Sequence, residues 1–278
     1  WLLFRVLAVI RQTLSSSSAA SDGYSGRILM SVHCYSDNPA LVAELAPKIA
    51  ETLRVALAVR GYANLAVSGG STPKTLFTAL SKQVIDWQHV QITLVDERWV
   101  TEADVNSNAR LVREYLLQNL AADARFVSLK VSQADVFASV DAVAAKLQST
   151  AVPLFPLDIV VLGMGEDGHT ASWHPGSETL AEVMDVDNDK ICGAVRPMLA
   201  PYDRMTLTMR ALMQARLIVS HLLGERKKSV LDLALQPGSL AALPLRGIIE
   251  QTQVTTEIDC DQYPIRLHSS CGNDQQSQ

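Results

Sequence analysis

The sequence predicts an α/β fold in a single domain, with a mostly parallel sheet flanked by helices. Three observations predict it. Short apolar runs alternate with helix-like segments along the chain. One run, Ile159 to Leu162, is apolar at every position, as a strand buried on both faces requires. Three polar loops follow directly after such runs, where open α/β sheets bind their ligands. No repeat and no linker rich in Pro, Gly or Ser interrupts the stretch from 28 to 258.

Taken in order, Asn38-Pro39 opens the first helix, a capping residue followed by proline at the first helical position. Leu41, Leu45, Ile49 and Leu53 then recur at four-residue spacing, and Gly61 stands where a helix closes. A strand Asn64 to Val67 runs into Ser68-Gly69-Gly70-Ser71-Thr72-Pro73, and a helix follows to Leu80. The strand Val90 to Val95 leads through a polar loop to a helix carrying Leu111, Tyr115 and Leu116. A helix fits Val136 to Leu147, ahead of the apolar strand at Ile159. Met205 to Thr208 and Leu217 to Ser220 read as strands, and a helix from Arg226 to Leu235 ends before Pro237-Gly238.

Composition bounds the function. Of 278 residues, 48% are hydrophobic and 19% charged, enough to bury a large core and too apolar for a disordered chain. The net charge of −5 offers no basic excess to displace counterions from nucleic acid. Cys34, Cys192, Cys260 and Cys271 form no C-x-x-C pair, so the chain reads as a cytoplasmic protein with free thiols. Residues 1–27 read as an N-terminal extension, disordered or a targeting remnant, too short in apolar length for a bilayer span. Residues 259–278 read as a loose polar tail.

The chemistry sits in the three loops. In Ser68 to Pro73, two glycines let backbone approach a ligand, Ser71 and Thr72 add hydroxyls, and a helix start suits a phosphate. A plain strand-to-helix turn capped by Thr72 fits the same residues. In Asp96-Glu97-Arg98-Trp99, Arg98 can clamp a phosphate or carboxylate and Asp96 can bond sugar hydroxyls; a surface ion pair is the plainer reading. The third loop, Gly163-Met164-Gly165-Glu166-Asp167-Gly168-His169-Thr170, satisfies G-x-G-x-x-G. Two carboxylates where a pyrophosphate would lie, and a following helix cut short by Pro175-Gly176, argue against a dinucleotide. The better reading presents Asp167 and His169 to a cleft, with His169 as a general base. His169 and His174, five apart, do not share a helix face and suggest no third ligand, so no metal is expected.

Together these loops resemble the 6-phosphogluconolactonase family. The matching residues are Ser68 to Pro73, Asp96 to Val100, Ser107-Asn108, Gly163-x-Gly-x-Asp167-Gly168-His169-Thr170-Ala171-Ser172, Arg204 to Thr208 and Gly224-x-x-Lys227. They extend in order over nearly the whole core. The resemblance implies a modified Rossmann-like fold and hydrolysis of 6-phospho-D-glucono-1,5-lactone, with neither metal nor organic cofactor. It implies His169, Asp167 and Arg98 as catalytic residues. It implies Ser68, Gly69, Gly70, Ser71, Thr72, Asp96, Asn108, Gly165, Arg204 and Lys227 around a phosphosugar, in a monomer or weak homo-oligomer without nucleic-acid or membrane partners.

Two departures stand out. Trp173-His174-Pro175 replaces the family's usual Leu-Phe-Pro, and Pro197 to Pro201 lacks a usual lysine. Deaminases of the glucosamine-6-phosphate type follow the equivalent histidine with Ile-Ala-Phe-Asn-Glu; here Thr170-Ala171-Ser172-Trp173-His174 follows. A non-catalytic sugar-phosphate sensor is a further alternative, disfavoured by the intact Asp167 and His169.

Overall fold

The structure, a computed structural model, describes residues 30–261. The expectations for residues 1–27, for Cys271 and for the tail beyond Asp261 lie outside the described residues. Along the chain run β1 (Met30–Tyr35), α1 (Asn38–Arg60), β2 (Ala63–Val67), α2 (Lys74–Leu80), β3 (Val90–Leu94), β4 (Asp96–Arg98) and α3 (Asn108–Tyr115). There follow β5 (Arg125–Val127), α4 (Val140–Gln148), β6 (Ile159–Leu162), α5 (Leu180–Val183), β7 (Cys192–Val195), β8 (Arg204–Leu207) and α6 (Met209–Leu212). The last elements are β9 (Leu217–Leu222), α7 (Glu225–Ala234), α8 (Leu245–Glu250) and β10 (Thr255–Asp261).

Seven strands form one sheet in the order β1-β10-β9-β6-β2-β3-β5, and every pairing in it is parallel. Its central members β2, β3 and β6 are buried at every residue; β6 is apolar throughout, whereas β2 and β3 carry Asn64, Gln91 and Thr93, whose side chains find partners inside the core. From β2 the chain continues to β3 on one side, and from β6 it continues toward β9 on the other. The carboxyl ends of β2 and β6 therefore flank the point where the winding reverses, the position at which such sheets leave a crevice. A second sheet, β4-β8-β7, is antiparallel. It hangs from Val95, whose N–H donates to the Val67 carbonyl (2.9 Å) and whose carbonyl accepts from Leu207 N–H (2.8 Å). The strand read at Met205 starts one residue earlier and belongs to this small sheet.

α1 carries Leu41, Leu45, Ile49 and Leu53 on its buried face, each without solvent exposure. Its cap is Asp37, one residue before the expected Asn38: the Asp37 carboxylate accepts from Ala40 N–H at 2.8 Å. Gly61 closes it at φ 78°, where its N–H reaches the Leu57 carbonyl. The tail expected from residue 259 is corrected by β10, which runs to Asp261 between β1 and β9 with Asp259, Cys260 and Asp261 buried. Ladder bonds on both sides satisfy its backbone. Its acidic side chains reach Lys48 and Tyr35, and that polarity disguises a strand as a tail.

At the opposite end of the sheet, Asp158 is fully buried. One Arg60 nitrogen stands 2.6 Å from each of its oxygens, Asn64 N–H donates at 2.8 Å, and Arg216 lies at 3.3 Å. Replacing Asp158 with Ala leaves these donors without an acceptor. Urea denaturation of the variant is expected to show a loss of about 3 kcal/mol.

Candidate active site

The carboxyl ends of β2, β6 and β9, together with the small sheet, enclose a cleft of about 380 Å³. Into it face Ser68, Gly69, Gly70, Ser71 and Thr72 after β2, Asp96 and Arg98 on β4, and Asn108 at the start of α3. Gly165 and His169 enter after β6, Arg204 from β8 and Lys227 from α7. Asp167 does not line the cleft; it stands behind His169.

The loop after β6 is closed by Gly165 N–H to the His169 carbonyl (2.9 Å) and Gly168 N–H to the Gly165 carbonyl (3.1 Å), with Gly168 at φ 79°. His169 Nδ1 lies 2.5 Å from Asp167 Oδ1. An ionised carboxylate can only accept, so Nδ1 carries the proton and Nε2 keeps a lone pair. Burial pulls the Asp167 carboxyl pKa upward, but the bond from His169 and the nearness of His174 outweigh it and hold the group far below its ordinary value. Gly165 is a steric requirement of this pair: a Cβ there would fall 2.2 Å from the His169 ring and 2.6 Å from Asp167 Oδ1.

The small sheet supplies the opposite wall. Glu97 is buried and accepts four bonds: from Arg98 N–H (2.8 Å), Asn108 N–H (2.8 Å), Ala109 N–H (2.8 Å) and Ser107 Oγ (3.0 Å). Burial still raises its pKa, against the lowering effect of those donors. The clamp fixes β4 to the first turn of α3. Ser107 caps that helix, and Asn108 Nδ2 donates to the Asp96 carbonyl at 2.9 Å. Gly69, expected to let backbone approach a ligand, lines the cleft and also makes room for this carboxamide, since a Cβ would fall 1.9 Å from Asn108 Oδ1. Asp96, read as a partner for sugar hydroxyls, has one oxygen engaged by Ser172 Oγ at 2.6 Å. Arg98 donates to the Asn106 carbonyl (2.9 Å), and Arg204 pairs opposite it in the β4-β8 register. Two guanidinium groups therefore share this wall. Burial lowers the Arg204 pKa, Asp96 raises it and Arg98 lowers it further.

At the third wall, Lys227 Nζ donates to Thr72 Oγ1 at 3.0 Å. Thr72 caps nothing; Pro73 occupies the cap position of α2, with no side-chain bond. Two histidines in the lining were not among the expected site residues. His221 sits in an apolar strand, and the signal for it was the Gly224-x-x-Lys227 loop just beyond. His174 was set aside on helix spacing, but these residues form a loop, which folds its ring to 4.1 Å from that of His169, centroid to centroid. The absence of a shared helix face therefore carried no weight, and Asp167 is the third candidate donor that the sequence did not suggest.

His221 is 1% exposed, and burial, aided by Lys227, pushes its pKa down from 6.5 to about 4. Between these values the unfolded chain binds the proton and the folded chain does not. Stability contributed by the neutral ring is full above pH 6.5 and falls away toward pH 4, by up to about 3 kcal/mol. Urea unfolding of wild type and His221→Leu across pH 4–8 is expected to show a smaller acid loss in the variant.

The family model described as glucosamine-6-phosphate isomerases/6-phosphogluconolactonase matches residues 36–257. A 6-phosphogluconolactonase of Mesorhizobium japonicum is 42% identical over 229 residues, spanning 81% of this chain and 93% of that protein. The crystal structure of a 6-phosphogluconolactonase from Shewanella baltica superposes with a TM-score of 0.80 at 42% identity, covering 83% of this chain and 97% of that one. A monomeric glucosamine-6-phosphate deaminase, 18% identical with a TM-score of 0.66, shares the fold. The loops after β2, β3 and β6 thus lie at the winding reversal of a sheet common to these proteins, and the chain belongs to the glucosamine-6-phosphate isomerase/6-phosphogluconolactonase family.

Proposed function

We propose that the chain hydrolyses 6-phospho-D-glucono-1,5-lactone to 6-phospho-D-gluconate, in the oxidative pentose phosphate pathway, with His169 as general base. The relatives named 6-phosphogluconolactonase support the reaction over most of the chain's length. The observation that carries the mechanism is the His169–Asp167 pair, whose protonated Nδ1 leaves Nε2 as the basic atom in the cleft.

Nε2 takes a proton from water as the water oxygen attacks the lactone carbonyl. The resulting oxyanion lies within reach of Arg98, a fixed positive charge whose stabilising effect grows as charge develops on oxygen. Collapse of the tetrahedral intermediate breaks the bond to the ring oxygen, and the His169 imidazolium returns its proton to that oxygen. Asp167 holds the ring in one tautomer and offsets its transient charge. The phosphate is received by the Ser68–Thr72 loop with Lys227 and Arg204, while Asp96, Asn108 and Gly165 shape the sugar site. Gly165 and Gly69 act by leaving space for His169 and Asn108. Among the described residues no helix is long and apolar enough to cross a membrane. We place the chain in the cytoplasm, as a monomer or weak homo-oligomer that takes a small phosphosugar rather than nucleic acid.

A pH-stat or coupled-dehydrogenase assay tests the reading. Purified chain is expected to accelerate lactone opening, and His169→Ala to lose about 10²–10⁴ of that acceleration. A variant as fast as its parent would remove His169 from the mechanism. Ammonia released from glucosamine 6-phosphate, without lactone hydrolysis, would assign the chain to the deaminases. Gly165→Ala is expected to cut kcat by a comparable factor while the melting temperature changes little, because its Cβ displaces the catalytic ring.

A further inference from the structure

Lactone hydrolysis uses His169 and Asp167 and leaves His174 without a task. His174 is only 5% exposed, yet it faces the cleft. Its Nδ1 stands 3.7 Å from Asp167 Oδ2, while His169 Nδ1 stands 2.5 Å from Oδ1. One carboxylate thus turns one oxygen toward each of two imidazoles. Donor atoms of all three residues lie within 4.8 Å of one another.

We infer that Asp167, His169 and His174 form a binding site for a zinc-like divalent ion, whose occupancy stops lactone hydrolysis. Two imidazole nitrogens and one carboxylate oxygen suit zinc and its first-row neighbours rather than magnesium or calcium. Three protein donors leave a fourth position for water. The donors are held before any ion arrives: Gly165 seats the His169 ring, Gly168 sets the turn, and burial fixes His174. On binding, the His169 Nδ1 proton leaves to solvent and the nitrogen lone pair goes to the ion. Asp167 exchanges its accepted hydrogen bond for a metal–oxygen bond. The base then loses the carboxylate that oriented it, and Nε2 of a ring whose Nδ1 holds a cation is too weak a base to take the proton from the attacking water. Arg204, close enough to His174 to act on its charge, opposes a cation here and makes the site weaker than a closed structural centre.

A second group, His33, Glu257 and Asp259, is similarly compact. There Lys48 already bonds Glu257 and stands 3.9 Å from Asp259, so its charge takes the place an ion would fill.

The test is titration of the purified chain with cobalt(II), followed by displacement with zinc. Wild type is expected to bind one cobalt with the visible d–d bands of a nitrogen-ligated site. His174→Phe, which restores the residue usual in the family, is expected to weaken binding by at least about tenfold. Zinc is expected to inhibit lactone hydrolysis by wild type reversibly with chelator, and the variant at correspondingly higher zinc. Equal cobalt affinity in both proteins, or no cobalt spectrum in wild type, would overturn the site. Should the variant unfold, zinc-edge X-ray absorption on wild type decides: two imidazoles support the site, one or none overturns it. The inhibition arm rests on the proposed lactonase activity, whereas the spectra do not. A cobalt-binding chain without lactonase activity would therefore count against the function and not the site.

Discussion

Seven strands running the same way impose the geometry from which the site follows. A parallel strand cannot return through a tight turn, so each connection must cross a face of the sheet and re-enter at the same edge. All carboxyl ends then gather along one rim. At most places a crossing segment covers that rim. Between β2 and β6 the crossings depart in opposite directions, and backbone there is left uncovered. The loops that chemistry requires can stand at that gap without disturbing the core beneath them.

The small antiparallel sheet turns the gap into an enclosure, and buried carboxylates hold it in place. Glu97 accepts the first two backbone donors of α3 and Ser107 Oγ the third, so the helix start, β4 and the two arginines are held together. Asp96 extends the chain of contacts to Ser172, beyond the His169 loop. A carboxylate buried this deeply is tolerable only because each oxygen meets more than one donor. The same rigidity keeps two guanidinium groups close together in spite of their mutual repulsion, a repulsion that an anionic ligand relieves.

Much of this was legible in the residues. An unbroken apolar run identified β6 because burial on both faces favours apolar residues at every position, and short runs rich in apolar residues ahead of polar loops identified β2 and β3 in spite of Asn64, Gln91 and Thr93. The three loops were legible because glycines and charges after such runs have few other uses. β4, β5 and β7 escaped notice, being three or four residues long, too short for periodicity and without the run of large apolar residues that marks the equally short β6. β10 was hidden by its acidic side chains, whose partners Lys48 and Tyr35 lie far away in sequence. The closeness of His174 to His169 was hidden because spacing rules for helices say nothing about a loop that doubles back. Gly69 and Gly165 each clear room for a neighbouring side chain as well as lining the cleft, a role that no local pattern could name.

The placement of β10 also bears on how the chain comes into being. Its partner β1 emerges among the first residues of the domain, yet Tyr35 meets Asp259 across 224 positions of sequence. At synthesis rates of roughly 5–20 residues per second, β1 waits about 10–45 s on the ribosome without the strand that pairs it to the sheet. Through that interval β1 lacks its partner, and once β9 is made its edge too stands unpaired until β10 follows, the exposure that invites association between nascent chains. Completion of the sheet is thus a late event, and a chain interrupted before Thr255 carries every residue of the cleft on a sheet that lacks the strand joining β1 to β9.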